Sequence, residues 1–253
     1  MKTLQFVKRE LPYEINEEIK QLRTNIKFCG DDKRVIMVTS SISGEGKSTN
    51  VMDLANSFKD LGNKVLVIDA DMRKSMMKHY LVDKNDAHYG LSHVLTRQCR
   101  LSEAIYKTDT GTYVILAGPT PPNPSELLST DILEKILDKV REYYDYVLID
   151  CPPLGAVVDA AVVANLCDGA IVVVEAGKIP YKVVQGVVKQ LKQTTCPILG
   201  VVLNKVDLKK KGRYYKNYYY KNYYYKKYGY YAKDDRPHLE TDDTIDDIEF
   251  EDI

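Results

Sequence analysis

One short stretch constrains this chain more than any other. Val35 to Thr39 is an apolar-rich run of strand length; it leads into Ser41-Ile-Ser-Gly-Glu-Gly-Lys-Ser48-Thr49, and a helix-length segment from Ser48 to Leu61 follows at once. Strand, glycine turn and helix in that order form the setting of a phosphate-binding loop. Gly44 and Gly46 let backbone N–H groups turn inward at a helix N-terminus, where free amides and the helix dipole favour an anion. Lys47 adds a charge suited to β- and γ-phosphates, and the Ser48 hydroxyl can ligate Mg2+. Ser43, Gly44, Glu45, Gly46, Lys47, Ser48 and Thr49 are therefore candidate nucleotide contacts, with ATP and Mg2+ the expected cofactors. Ser41 stands where the general GxxxxGK[ST] pattern has its first glycine.

Further runs rich in Val, Ile and Leu occur at Lys64 to Asp69, Tyr113 to Ala117, Tyr146 to Asp150, Ala170 to Val174 and Ile198 to Leu203. Their composition predicts strands buried on both faces. Helix-length segments at Ser125 to Tyr143, Asp159 to Leu166 and Tyr181 to Thr194 lie between them. This alternation predicts an α/β fold, a mostly parallel P-loop sheet with helices on both faces, in which ligands bind at the C-terminal strand ends. Residues 72 to 112 are less regular and predict two short helices. Two strands end in carboxylates at the edge where ligands bind: Val-Leu-Val-Ile-Asp69-Ala-Asp71-Met-Arg73 and Tyr-Val-Leu-Ile-Asp150-Cys-Pro-Pro. A carboxylate behind four apolar residues is costly to bury without a cation, and Mg2+ with a nucleotide meets that need. Lys47, Ser48, Asp71 and Asp150 are expected to hold the nucleotide and its metal, with Ser48, Asp71 and Asp150 as metal ligands.

The remainder sets limits. At 253 residues and 44% hydrophobic composition the chain can close one sizeable core with a short appendage. Its 36 basic and 36 acidic residues cancel, so bulk charge argues for neither nucleic acid nor a membrane surface. The five cysteines have no CxxC pair, which fits a reducing cytosol, and the four histidines show no ligand spacing. No apolar stretch reaches membrane-spanning length and Met1 to Glu10 lacks a signal-peptide core, so attachment to a membrane is expected to come through a partner. Ile15, Ile19, Leu22 and Ile26 recur at helical spacing and predict an amphipathic helix over residues 13 to 28.

After Asp207 the composition breaks. Lys209 to Lys233 holds nine basic residues, no acidic ones and eleven tyrosines: Tyr214, Tyr215, Tyr218, Tyr219, Tyr220, Tyr223, Tyr224, Tyr225, Tyr228, Tyr230 and Tyr231. The last twenty residues reverse the sign, with ten acidic residues against one arginine. Neither block has the aliphatic content for a core, and the composition predicts a disordered tail over residues 208 to 253. The domain expectation is thus a helix-bearing segment at 1–30, a P-loop domain at 31–207 and this tail.

These motifs resemble the bacterial tyrosine kinases of capsular and exopolysaccharide operons, over roughly residues 13 to 207. The resemblance extends to Gly118-Pro-Thr-Pro-Pro-Asn123-Pro-Ser-Glu126-Leu-Leu and to Glu17-Glu-Ile-Lys20-Gln-Leu-Arg23. It implies that Asp69 and Asp71 form the Walker A′ strand, that Asp150 is the Walker B aspartate and that Asp69 orients or deprotonates an incoming tyrosine. Arg73 and Asn204 fall among the nucleotide-binding positions, Asn204 on the adenine side. Glu17, Lys20 and Arg23 match a ring-forming helix, with Lys20 in place of the first arginine, and Ser43 replaces the usual proline of the loop. The resemblance further implies autophosphorylation of the tail and a homo-oligomeric ring. Its implied partners are a membrane-spanning polysaccharide chain-length regulator and protein substrates of polysaccharide synthesis, with no nucleic acid. The implied location is cytoplasmic, held at the inner face of the membrane by the regulator.

Two other readings stay open. A partitioning or cell-division ATPase would use the same loop to switch its dimer state, but its signature lysine position is occupied by Ile42 and such ATPases lack a tyrosine cluster. Alternatively, tyrosines interleaved with lysines suit a polyanion-binding arm.

Overall fold

The computed structural model describes residues 3–7, 10–80 and 88–206, all within one unit that ends at Val206. The tail, and with it all eleven tyrosines named above, lies outside the described residues. The strands are β1 (Thr3–Leu4), β2 (Val35–Ser40), β3 (Val65–Asp69), β4 (Tyr106–Thr108), β5 (Tyr113–Ile115), β6 (Tyr146–Asp150), β7 (Gly169–Glu175) and β8 (Ile198–Asn204). They form one sheet in the order β1-β4-β5-β3-β6-β2-β7-β8, parallel except where β4 meets β5. Parallel neighbours need crossovers, and the helices α1 (Tyr13–Phe28), α2 (Lys47–Lys59), α3 (Leu91–Leu95), α4 (Leu101–Ala104), α5 (Pro124–Leu128), α6 (Asp131–Arg141), α7 (Asp159–Ala164) and α8 (Tyr181–Leu191) lie along the chain between strands.

The aliphatic runs explain why the central strands sit where they do. β2, β3 and β6 alternate their side chains between two apolar layers, so both faces are dry. Val35, Leu66 and Ile149 join one layer with α3 to α8, whereas Ile36, Val67 and Leu148 join the other with α1 and α2. Phe58 of α2 stacks on Tyr146 with ring centroids 4.0 Å apart. Each such fully buried large side chain contributes about 1.5–3 kcal/mol. Among the described residues no helix is long and apolar enough to cross a membrane.

Four details depart from the sequence expectations, each for a local reason. The helix expected over 125–143 is two, because the Ser129 and Thr130 hydroxyls donate to the carbonyls of Ser125 and Leu127 and compete with the helical ladder. Among its described residues, the region 72–112 holds the two short helices α3 and α4 but also a 3-10 turn at Met77–Tyr80 and β4, a three-residue strand. The last strand is not buried on both faces: as the sheet's edge, β8 leaves Val201 53% and Leu203 46% exposed. On α1, Ile19 and Ile26 are buried and Leu22 packs beside them, while Ile15 in the first turn is exposed.

Candidate functional site

The site is built at the C-terminal edge of β2, β3 and β6. Gly44 and Gly46 adopt φ of +89° and +93°, a region that side-chain-bearing residues avoid. At Gly46 a Cβ would also fall 2.2 Å from Asn204 Nδ2. The loop between them is braced from within. The buried carboxylate of Glu45 accepts bonds from the backbone N–H groups of Ser41 (2.6 Å), Ile42 (2.8 Å) and Glu175 (2.9 Å). Its opposite side is pinned by the end of β8, where Asn204 Nδ2 donates to the Glu45 carbonyl (2.8 Å) and Lys205 Nζ to the Gly44 carbonyl (2.6 Å).

The carboxylates converge because of the strand register. Asp69 pairs with Asp150 across β3 and β6, and Asp150 pairs with Val38 one strand further, two residues short of the loop. Lys47 Nζ lies 3.8 Å from Asp71 Oδ2, both side chains being nearly buried. Asp71 is set by the backbone, its N–H donating to Asp69 Oδ1 (3.1 Å) and its own Oδ1 accepting from the Lys74 N–H (3.0 Å). After β6 the chain folds back onto the loop, the Leu154 N–H donating to the Ser40 carbonyl. There Gly155 comes so near that a Cβ would stand 2.2 Å from the Ser41 carbonyl.

Asp150 is fully buried, and neither of its carboxylate oxygens has a hydrogen-bond partner. Burial pushes its carboxyl up to about 6, with Lys47 and Ser48 nearby pulling the other way. Asp69 is raised well above the usual carboxylate range by burial first and by Asp150 second, against a 2.5 Å bond from the Ser75 hydroxyl. One unsatisfied acid, with Asp69 and Asp71 at its side, one lysine and an inward-turned loop suit a divalent cation carried on phosphates. Among the described residues no group of three or more His, Cys, Asp or Glu is arranged to hold a metal by itself. Mg2+ characteristically takes one or two carboxylates and completes its shell with phosphate and water, so Ser48, Asp71 and Asp150 fit that role.

Comparison with known proteins adds the family. Residues 33–199 match the AAA domain family. Over 192 residues the chain is 38% identical to the tyrosine-protein kinase CpsD of Streptococcus agalactiae serotype III, spanning 76% of this chain and 82% of that protein. The chain belongs to the bacterial tyrosine-protein kinase family. Another member, the tyrosine-protein kinase YwqD of Bacillus subtilis, is 34% identical over 202 residues, covering 79% of this chain and 84% of its own. The kinase domain of the Escherichia coli tyrosine kinase ETK has the same fold, with a TM-score of 0.74 at 32% identity over 79% of this chain and 78% of that one. The family resemblance and the α/β P-loop fold read from the sequence are thereby borne out.

Within this family member the sequence-derived residues divide into four groups. Lys47, Ser48, Asp69, Asp71 and Asp150 come together, with Gly44 and Gly46 shaping the loop and Ser43 exposed on it. Glu45, Thr49 and Asn204 are near, but their side chains are engaged within the protein, Thr49 Oγ1 lying 2.6 Å from the Tyr80 hydroxyl. Glu17, Lys20 and Arg23 lie away from the site on α1. Lys20 pairs with Glu17 at 2.8 Å, whereas Arg23 turns inward to the Ser57 carbonyl (2.6 Å) and hydroxyl (3.0 Å) of α2. Arg73 is held by Asp159 and Ser125. Sequence reasoning missed those two and Ser75. Its one available signal was Arg73 itself, a cation two residues beyond Asp71 at the strand end.

Proposed function

We propose that this chain is an ATP-dependent protein-tyrosine kinase whose own tail is an acceptor. The observation that carries the reading is Asp150: a fully buried carboxylate whose oxygens meet no hydrogen-bond geometry, set near Lys47 and the Asp69–Asp71 strand end, is an arrangement for a cation and phosphate rather than for stability. Bound Mg2+ would be held by Ser48, Asp71 and Asp150 and would supply charge neutralisation at the transferring phosphoryl group. Lys47 balances the β- and γ-phosphate charge, and the loop amides orient the chain of phosphates. Asp69 positions the acceptor hydroxyl and receives its proton as the new P–O bond forms and the bond from the γ-phosphorus to the β-phosphate oxygen breaks, releasing ADP. A tyrosine hydroxyl has a reference pKa of about 10. The carboxylate therefore acts mostly by positioning until the loose transition state raises the acidity of the hydroxyl.

The finer reading rests on the sequence. Eleven tyrosines in a block free of acidic residues supply acceptors in the same chain as the site. Transfer in trans within a ring built on the Glu17–Arg23 helix would place a neighbour's tail at each site, at an effective concentration of roughly millimolar for a flexible tether. A membrane-spanning chain-length regulator of capsular or exopolysaccharide synthesis would hold the ring at the inner face of the membrane. The relatives' names support the kinase part of this reading.

Radiolabelled ATP with the purified full chain tests it. Label on tyrosine is expected, with Lys47→Met reducing it by about a hundredfold or more, since the lost group acts on developing charge. Free phosphate without phosphotyrosine would reassign the chain to a switch ATPase. Near-normal labelling by Lys47→Met would overturn the site.

A further inference from the structure

The proline-rich segment Gly118 to Glu126 has no part in the mechanism above, yet the structure gives one of its residues a definite task. Ser125 begins the second position of α5, a helix fixed by Pro124 at its first turn and by a 2.9 Å bond from Asn123 Nδ2 to Glu126. Its hydroxyl donates to Asp159 Oδ1 (2.6 Å) and accepts from Arg73 Nη2 (3.0 Å). Asp159, the first residue of α7 and only 1% exposed, in turn accepts Arg73 Nε at Oδ2 (2.7 Å) and Arg73 Nη2 at Oδ1 (3.1 Å). Three chain segments that are remote in sequence thus close on one guanidinium.

An arginine whose side chain is 40% exposed normally samples many rotamers. Here the fork contact to a carboxylate fixes the guanidinium plane, which a single contact would not do. Nε and Nη2 are used, and Nη1 has no partner among the described residues. Arg73 follows Asp71 by two positions, and Asp71 is 3.8 Å from Lys47, the residue suited to the β- and γ-phosphates. Thr49, at the other side of the loop, bonds instead to Tyr80. Asp71 is near enough to act on the Arg73 guanidinium electrostatically, which puts Arg73 on the Asp71 side of the site.

We propose that Asp159 and Ser125 are positioning residues that aim Arg73 Nη1 at the terminal phosphate of the bound nucleotide, and that the proline-rich loop serves to deliver Ser125 to this pair. Burial would raise the Asp159 carboxyl, but the bonds from Arg73 and Ser125 hold it below the usual range, consistent with a permanently charged anchor. The inference rests on the kinase reading of the same site only in placing a nucleoside triphosphate there.

The test measures equilibrium binding of the non-hydrolysable imido analogue of ATP and of ADP, each with Mg2+, to the full chain and its variants. Loss of one charge-assisted contact in Asp159→Asn should weaken the analogue by about tenfold and leave ADP unchanged. Ser125→Ala should weaken the analogue by about threefold, and Ser125→Thr, which keeps the hydroxyl, should restore it. In an Arg73→Ala background Asp159→Asn should add nothing, because its effect passes through Arg73. Parallel losses for analogue and ADP, an undiminished Asp159→Asn effect without Arg73, or failure of Ser125→Thr to restore binding would each overturn the proposal. If Asp159→Asn does not fold, the Ser125 pair decides alone. Wild-type protein that binds the analogue but forms no phosphotyrosine would defeat the kinase reading, and the binding ratio would still decide this one.

Discussion

Asp150 and Asp168 stand at opposite ends of the same sheet, each at the boundary of a strand and each largely withdrawn from water. Their surroundings differ completely. Asp168, just before β7, receives both Nη groups of Arg141 (2.7 and 2.9 Å) and the backbone N–H groups of Val35 (2.7 Å) and Arg34 (3.0 Å). Asp150, closing β6, receives nothing. The first carboxyl is held below its ordinary range by Arg141 and those amides, although burial opposes them. The second is pushed up to about 6 by burial. A buried acid whose bonds are all met locks a fold together, whereas one left without bonds stores an affinity for something from outside.

The largest effect expected from this contrast is at the satisfied end. Asp168→Asn removes the charge that neutralises Arg141 and leaves a half-buried guanidinium poorly paired, a loss of about 3 kcal/mol. Because the folded carboxyl lies below its unfolded value, its contribution is complete above the unfolded pKa and is lost as pH falls through the lower folded value. Urea denaturation should therefore show the variant weakened at neutral pH and without the wild-type acid limb, while nucleotide affinity per folded molecule is kept. A variant as stable as wild type would remove the contrast from that side.

At the other end the sign reverses. Asp150→Asn exchanges a buried charge that Lys47 and Ser48 compensate only in part for a neutral amide and should stabilise the nucleotide-free chain by about 2 kcal/mol near neutrality. The raised carboxyl favours the folded state fully below the unfolded pKa, and that contribution disappears as pH climbs through about 6. Thermal melting in the absence of nucleotide should thus decline with rising pH in wild type across this window and stay flatter in the variant. Addition of Mg2+ and ATP should raise the melting point of wild type and hardly that of the variant. Destabilisation by Asp150→Asn at neutral pH would mean that the carboxylate is structural after all.

How much of this was legible in the sequence depends on how far a cause reaches along the chain. β6 at Tyr146–Asp150 and α1 at Tyr13–Phe28 lie where their patterns put them, because periodicity and burial are local properties of those segments. The site residues Lys47, Asp69, Asp71 and Asp150 were readable too, since each is fixed to the end of a recognisable strand or to the glycine loop. β4 was hidden because three residues are too few to show a period, although they alternate buried and exposed, and the strand exists through pairing with β1 and β5. The exposure of Val201 and Leu203 depends on β8 being last in the sheet order, which no residue of β8 encodes. Arg73 meets Asp159 across 86 positions, a contact that strand order creates and that composition does not announce.

The smallest expected effect refines what satisfies Asp168. Arg141→Lys keeps a cation within reach of the carboxylate but replaces the planar fork by a single rotating ammonium, so one of two parallel bonds is lost. The Val35 and Arg34 amides continue to donate to Oδ2, and the carboxylate is never left bare. The cost should be about 1 kcal/mol, well below that of Asp168→Asn. Stability should also become more sensitive to salt, because a point charge on a flexible stem at a partly exposed site is screened more readily than a held fork. A double-mutant cycle with Asp168→Asn separates the terms: a coupling of about 1 kcal/mol or more assigns the depressed carboxyl mainly to the fork. A coupling near zero would transfer the credit to the two backbone amides. In that case the structural end of the sheet is secured by the main chain alone, and the difference from Asp150 reduces to whether a neighbouring strand happens to present its N–H groups.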